Sequence, residues 1–265
     1  MTSNLRTYLD EKRRNGEKML SIYLTTGFPT PDATLPLLNA IVDAGADLVE
    51  LGIPFSDPLA DGPTIQNAAQ VALKNGTTLA KSLKMLADFT AAQSVPAILM
   101  GYSNPFMHYG WAKLMDDAKA AGAGGFIIPD LPPEESERIC EMARERDLDI
   151  IFLVAPNTPK SRIELVNSQS GGFVYAVSLT GVTGARDTLP PETRIFLERL
   201  RSQIVHPVLV GFGISNAETA RAIAPYCDGV IVGSAVIRAI AEAKDIDSAV
   251  ANVRKLVGEI KLALS

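Results

Sequence analysis

Two acidic residues stand out by their surroundings. Glu50 sits inside the apolar run Leu48-Val49-Glu50-Leu51, and Asp61 ends a Pro- and Gly-punctuated segment, Gly52-Ile53-Pro54-Phe55-Ser56-Asp57-Pro58-Leu59-Ala60-Asp61-Gly62-Pro63. An unpaired carboxylate is unfavourable to bury, so an acid in an apolar strand needs a partner or a task. The plain reading makes Glu50 half of a strand-end salt bridge and Asp61 a helix cap. The chemical reading is different: a buried Glu within loop reach of a second carboxylate has its pKa raised for acid/base work.

Three glycine-containing segments open further possibilities. Ser178-Leu179-Thr180-Gly181-Val182-Thr183-Gly184-Ala185-Arg186 has the small residues of a lid that closes on a ligand, or of a plain long turn. Tyr175, just upstream, either presents its hydroxyl to a pocket or serves packing alone. Gly211-Phe212-Gly213-Ile214-Ser215 and Gly233-Ser234-Ala235 each place glycine before an expected helix start. Amide groups at two converging helix N-termini make an anion site, so the pair predicts a phosphorylated substrate. His108, expected in a loop, and His206, expected at a strand edge, flank no ligand-spaced cluster. Cys140 and Cys227 lie in apolar patterns as buried thiols.

The elements that must hold these residues alternate in type. Apolar runs at 20–25, 47–51, 97–100, 125–128, 150–154, 173–177, 207–212 and 229–232 read as buried parallel strands. Helical patterns follow at 32–44, capped by Asp32 and ending at Gly45, and at 64–75, 109–121, 133–145, 160–168, 190–204, 215–224 and 247–264. Extra helices fit 79–92 and 235–243, and the charged N-terminus is helix-like. An open doubly wound sheet normally carries a Gly-rich first turn; Thr26-Gly27-Phe28-Pro29 is no such fingerprint. Eight βα units close more naturally into an α/β barrel, with working residues at the C-terminal ends of its strands. One domain over residues 1–265 is expected.

Composition sets the outer limits. A net charge of −5 disfavours a nucleic-acid surface, and Lys12-Arg13-Arg14 reads as a solvated helix face. No run of about 18 apolar residues is present to span a membrane, and the N-terminus has no apolar signal core. A reducing, cytoplasmic setting is expected.

Taken together, residues 49–63, 178–186 with Tyr175, 211–215 and 232–235 resemble the tryptophan synthase alpha subunit family. Thr25-Thr26-Gly27-Phe28-Pro29, Met100-Gly101-Tyr102-Ser103-Asn104-Pro105 and residues 129–135 extend the likeness over nearly the whole chain. The resemblance implies a (β/α)8 TIM barrel with an N-terminal helix and extra short helices. It implies a lyase that cleaves indole-3-glycerol phosphate to indole and glyceraldehyde 3-phosphate, with Glu50 as general acid/base and Asp61 as second catalytic carboxylate. By the same likeness Tyr175 and Thr183 stand beside the reacting groups, and Gly184, Phe212, Gly213, Gly233 and Ser234 line the phosphate end. Tyr23, Ile65, Met100, Ile127 and Leu153 would surround the indole. The family pairs with a pyridoxal-phosphate-containing beta subunit, in an alpha2-beta2 assembly, so Asp57, Pro58, Asn104, Asp130 and Pro132 are expected contacts. No cofactor or metal is expected in this chain. Two rivals stay open on residues alone: a barrel isomerase or epimerase acting on a sugar phosphate, and a binding partner without turnover.

Overall fold

The computed structural model describes residues 3–177, 189–211 and 213–265. Nine parallel strand segments form one sheet: β1 (Met19–Thr25), β2 (Leu48–Gly52), β3 (Ala97–Met100), β4 (Ala123–Ile127), β5 (Asp149–Ile151), β6 (Leu153–Val154), β7 (Val174–Ala176), β8 (Val208–Val210) and β9 (Gly229–Val232). Their order is β5-β4-β3-β2-β1-β9-β8-β7-β6. The two ends of that order are halves of a single strand broken at Phe152, whose carbonyl accepts the Tyr175 N–H at 3.0 Å. The sheet therefore closes as a (β/α)8 barrel. Around it run α2 (Thr34–Asp43), α3 (Pro63–Lys74), α4 (Leu79–Ala92), α5 (Ser103–Tyr109), α6 (Trp111–Ala120), α7 (Glu137–Arg144), α8 (Lys160–Gln169), α9 (Pro191–Gln203), α10 (Ala217–Ile223), α11 (Ser234–Ala241) and α12 (Ile246–Leu264), after an N-terminal α1 (Asn4–Arg14).

Strand pleating sorts each run into two faces. In β1 every residue is buried, yet Leu20, Ile22 and Leu24 join the core between sheet and helices, while Met19 belongs to a second cluster inside the barrel. That inner cluster takes one side chain at each strand position: Met19, Leu48, Ile98, Ile127, Ile151, Phe173, Leu209 and Ile231. Leu5 and Leu9 of α1 complete it and close the barrel's N-terminal end.

The N-terminal helix is fastened to carboxylates at the strand starts. Asp47 accepts the Leu20 N–H at 2.9 Å and meets Lys12 at 3.1 Å and Lys261 at 2.6 Å. Asp228 accepts the Val208 N–H at 2.8 Å and faces Arg13 at 3.5 Å, and Ser3 donates to Asp149. Lys12 and Arg13 thus belong to a docking interface, not the freely solvated face expected from their charge. His206 lies outside the strands, packed against Arg6 with its Nε2 3.1 Å from the Asn167 carbonyl. Both cysteines are buried and unpaired.

Other local differences have local causes. Residues 32–44 begin with a 3-10 turn, Pro31–Ala33, so Asp32 does not cap α2. Gly45 ends that helix with φ +102°, as the sequence predicted. Residues 133–145 likewise divide into the 3-10 turn Pro133–Glu135 and α7. Ser103-Asn104-Pro105 opens α5 where a loop was expected, since proline is tolerated in a helix's first turn. His108 consequently lies in the last turn of that helix.

The plug makes a direct claim on stability. Truncating Leu9 to alanine leaves a void at the base of the barrel and is expected to reduce urea-unfolding stability by about 2–5 kcal/mol. A midpoint unchanged from the parent chain would show that α1 does not hold the barrel.

Candidate active site

Glu50 reaches the barrel interior by the pleat of β2. Val49 and Leu51 face the helices, Leu48 enters the inner cluster, and Glu50 shares Leu48's side. The residue is fully buried. Its Oε1 accepts a hydrogen bond from the Ser21 hydroxyl at 2.7 Å, while Oε2 has no hydrogen-bond partner among the described residues. No cation pairs with it among those residues, so the strand-end salt bridge is not formed. Burial raises its pKa to about 7, against a smaller lowering by Ser21.

Asp61 arrives from the loop that joins β2 to α3. Gly62 takes the N-cap position and Pro63 the first turn of that helix, so Asp61 is not its cap. Gln66 holds the loop through the Asp61 carbonyl at 2.9 Å. Tyr102 fixes the side chain: its hydroxyl donates to Asp61 Oδ2 at 2.9 Å and accepts the Ala60 N–H at 3.0 Å. Burial raises the Asp61 pKa to about 6, with the Tyr102 hydrogen bond opposing.

Both carboxyls line one cavity of about 300 Å³ at the C-terminal ends of the strands. Tyr23, Ile65, Met100, Leu153 and Tyr175 contribute apolar wall. Each tyrosine lies against a glycine at the end of a neighbouring strand or just past it: a Cβ at Gly52 would stand 2.1 Å from the Tyr23 hydroxyl oxygen, and one at Gly211, the residue after β8, 2.1 Å from that of Tyr175. Burial pushes both phenols upward, so they remain neutral hydroxyls. Ile127 does not line this cavity; it lies in the inner cluster.

Gly213, Gly233 and Ser234 line the cavity as well. The start of α11 at Ser234, with Gly233 as its N-cap, brings helix amides that lack intrahelical partners to this wall. The second helix expected here, α10, begins at Ala217 with Asn216 and Thr219 forming a capping box, and its terminus is not among the residues lining the cavity. Gly213 contributes from the preceding loop. Arg238, one turn into α11, also lines the cavity. Thr183, Gly184 and Phe212, and the lid read at 178–186, lie outside the described residues.

The rim carries the remaining positions. Asp57, Asn104 and Asp130 are exposed, Pro132 is half-buried and Pro58 is buried. Asp130 accepts the Ser103 N–H at 2.9 Å, tying the loop after β4 to the start of α5. Leu59, beside Pro58, is 91% exposed, and Met107 of α5 is 62% exposed. Ser21 and Tyr102 carry little local signal of these roles, because their partners lie 29 and 41 residues away. Only the spacing of Ser21 two residues before Tyr23, on the same strand face, hinted at the first.

The buried acid sets a pH dependence whose sign is fixed. Glu50 titrates near 4.5 when unfolded and about 7 when folded. Its contribution to stability is therefore complete below pH 4.5 and is lost as pH rises through 7. Relative to pH 4, the stability of Glu50→Gln over the parent is expected to grow by about 3 kcal/mol by pH 8. Urea titrations at both pH values giving the same difference would contradict a buried, raised carboxyl.

The family model for the tryptophan synthase alpha chain matches residues 9–265. The tryptophan synthase alpha chain of Roseiflexus castenholzii is 50% identical over 229 residues, covering 86% of this chain and 88% of that relative. That of Aromatoleum aromaticum is 41% identical over 263 residues, covering 99% and 97%. Among solved structures, tryptophan synthase subunit alpha from Legionella pneumophila superposes with a TM-score of 0.92 at 36% identity, covering 100% of this chain and 99% of that one. The aminoacrylate-bound tryptophan synthase of Mycobacterium tuberculosis gives 0.89 at 34% identity, with both chains covered to 100%. With sequence, fold and coverage agreeing along the whole barrel, this chain belongs to the tryptophan synthase alpha chain family.

Proposed function

We propose that Glu50 and Asp61 are the catalytic carboxyls for the retro-aldol cleavage of indole-3-glycerol phosphate to indole and glyceraldehyde 3-phosphate, the alpha reaction of tryptophan synthase. The observation that carries this is two carboxyls raised by burial in one cavity whose wall also holds Gly213, Gly233 and Ser234. Membership of a lyase family displaces the sugar-phosphate isomerase and the partner without turnover.

The chemistry must overcome a poor leaving group, an indole carbanion. Glu50 in its acid form gives a proton to indole C3, and the ring nitrogen takes up positive charge. Asp61 as a carboxylate accepts the ring N–H and stabilises that charge. Glu50, now ionised, removes the proton from the side-chain hydroxyl next to the ring. The C–C bond breaks, its electrons return to the ring, and the hydroxyl carbon becomes the aldehyde of glyceraldehyde 3-phosphate. One proton enters at carbon and one leaves oxygen, so Glu50 ends as it began. Acid/base catalysis of this kind contributes roughly 10²–10⁴-fold.

The apolar wall of Tyr23, Ile65, Met100, Leu153 and Tyr175 suits the indole. The amides near Gly213, Gly233 and Ser234 suit the phosphate, and the family resemblance assigns Thr183 to the reacting groups and Gly184 and Phe212 to the phosphate. Ile127 acts from the layer beneath, as packing for that wall. The partner is a tryptophan synthase beta subunit, which carries pyridoxal phosphate; the alpha reaction needs no cofactor. Asp57, Pro58, Asn104, Asp130 and Pro132 contact that subunit, with Leu59 as the exposed apolar group of the same rim. The compartment is the cytoplasm, supported by two free, buried cysteines, and residues 1–265 act as one domain.

In kinetic terms, kcat/KM should follow a bell with limbs near pH 6 and 7, falling as Asp61 protonates and as Glu50 ionises. Glu50→Gln is expected to abolish indole release while substrate-analogue affinity stays within a few-fold. Asp61→Asn should lower turnover by at least about a hundredfold and erase the acid limb. Indole release assayed across pH 5–9 decides: turnover by Glu50→Gln, or a selective loss of phosphate affinity in Asp61→Asn, removes these assignments.

A further inference from the structure

Ser21 stands in an unusual relation to Glu50. It is a fully buried polar side chain on β1. In the β1–β2 register Tyr23 pairs with Glu50, whereas Ser21 pairs with Leu48, one level nearer the base of the barrel. The Glu50 carboxyl is therefore held at Oε1 from below its own level, at 2.7 Å. Its other oxygen, Oε2, meets no hydrogen-bonding group among the described residues. The two oxygens of one carboxyl are thus made chemically unequal.

That inequality has a consequence for where a proton can reside. A protonated carboxyl has one carbonyl oxygen, which accepts, and one hydroxyl oxygen, which donates. The Ser21 hydroxyl has Glu50 Oε1 as its one partner among the described residues, so donation favours Oε1 as the carbonyl oxygen. Tyr23 on β1 and Tyr175 on β7 feel the Glu50 charge, and Asp61 on the loop after β2 and Arg238 of α11 are the other titratable or charged groups lining the same cavity. None of them hydrogen-bonds to it, and burial keeps the two phenols neutral.

We propose that Ser21 is a positioning residue of the reaction: by occupying Oε1 it assigns the exchanging proton to Oε2 of Glu50, fixing which oxygen serves the substrate. The proposal rests on the acid/base reading of Glu50 given above. As a hydroxyl, Ser21 remains a partner through both protonation states of the cycle, donating to the carboxylate and to the carbonyl oxygen of the acid. It also opposes the upward pull of burial on Glu50.

The test uses the full chain with indole-3-glycerol phosphate and compares Ser21→Ala, Ser21→Cys and Ser21→Thr. Alanine should lower kcat by about tenfold with KM within about threefold, the size expected for a hydrogen bond to an ionisable group. The basic limb of the pH profile should move up by about one unit. Threonine, which restores the hydroxyl, should recover both values; cysteine, which fills the space but donates weakly, should follow alanine. Infrared difference spectra supply a readout independent of turnover. The carbonyl stretch of protonated Glu50, identified by its absence in Glu50→Gln, should rise in frequency in Ser21→Ala because its donor is lost. A fall in kcat with no movement of the pH limb or carbonyl band is what simple packing gives, and overturns the proposal. So does wild-type behaviour of Ser21→Ala beside an inactive Glu50→Gln, which leaves the acid/base reading intact. Turnover by Glu50→Gln removes that reading, and the role of Ser21 falls with it.

Discussion

The energetic cost of ionising a carboxyl inside the barrel is the constraint from which the site follows. The pleat of β2 leaves Glu50 no choice of side: with Val49 and Leu51 committed to the helix layer, the residue between them must turn inward. There it receives one neutral hydrogen bond and no counter-charge among the described residues. Full neutralisation by a cation would hold it ionised, and full exposure would return it to an ordinary acid. Partial satisfaction keeps both protonation states within reach near neutral pH.

The opposite end of the barrel shows the same side-chain chemistry wired for another purpose. Asp47 is saturated by a backbone amide and two lysines, and Asp228 by an amide and an arginine. Asp149 is the instructive intermediate. Its direct donors, the Ser3 hydroxyl and the Gly172 amide, are neutral, and burial raises it to about 6. A raised carboxyl therefore does not by itself mark a catalytic group. What separates Glu50 and Asp61 is a cavity against which substrate can lie, with aromatic walls on one side and the start of α11 on another.

Much of this was legible in the chain because it is written locally. Buried parallel strands announce themselves as unbroken apolar runs, and residues 79–92 formed α4 over their full span. Glu50 was conspicuous because its neighbours are apolar, and Asp61 because prolines and glycines surround it. The misreadings arose where a local signal has two outcomes. Ser103-Asn104-Pro105 suits a turn as well as a first helical turn, and Asp32 before a helix suits a cap until Pro31 starts a 3-10 turn. Lys12 and Arg13 look solvated until the strand-start aspartates are folded beneath them. Ser21 and Tyr102 act through contacts across 29 and 41 residues, which no local pattern encodes.

The docking of α1 ties together parts of the chain that lie far apart in sequence. Besides Asp47, its ties run to Asp147, Asp149, Val205 and Asp228, all far along the chain. The seat of α1 is thus complete only with residues as far along the chain as Asp228, just before β9. Leu5 and Leu9 are covered by side chains drawn from strands spread between β1 and β9. Pairings so distant in sequence carry a loop-closure cost and slow folding.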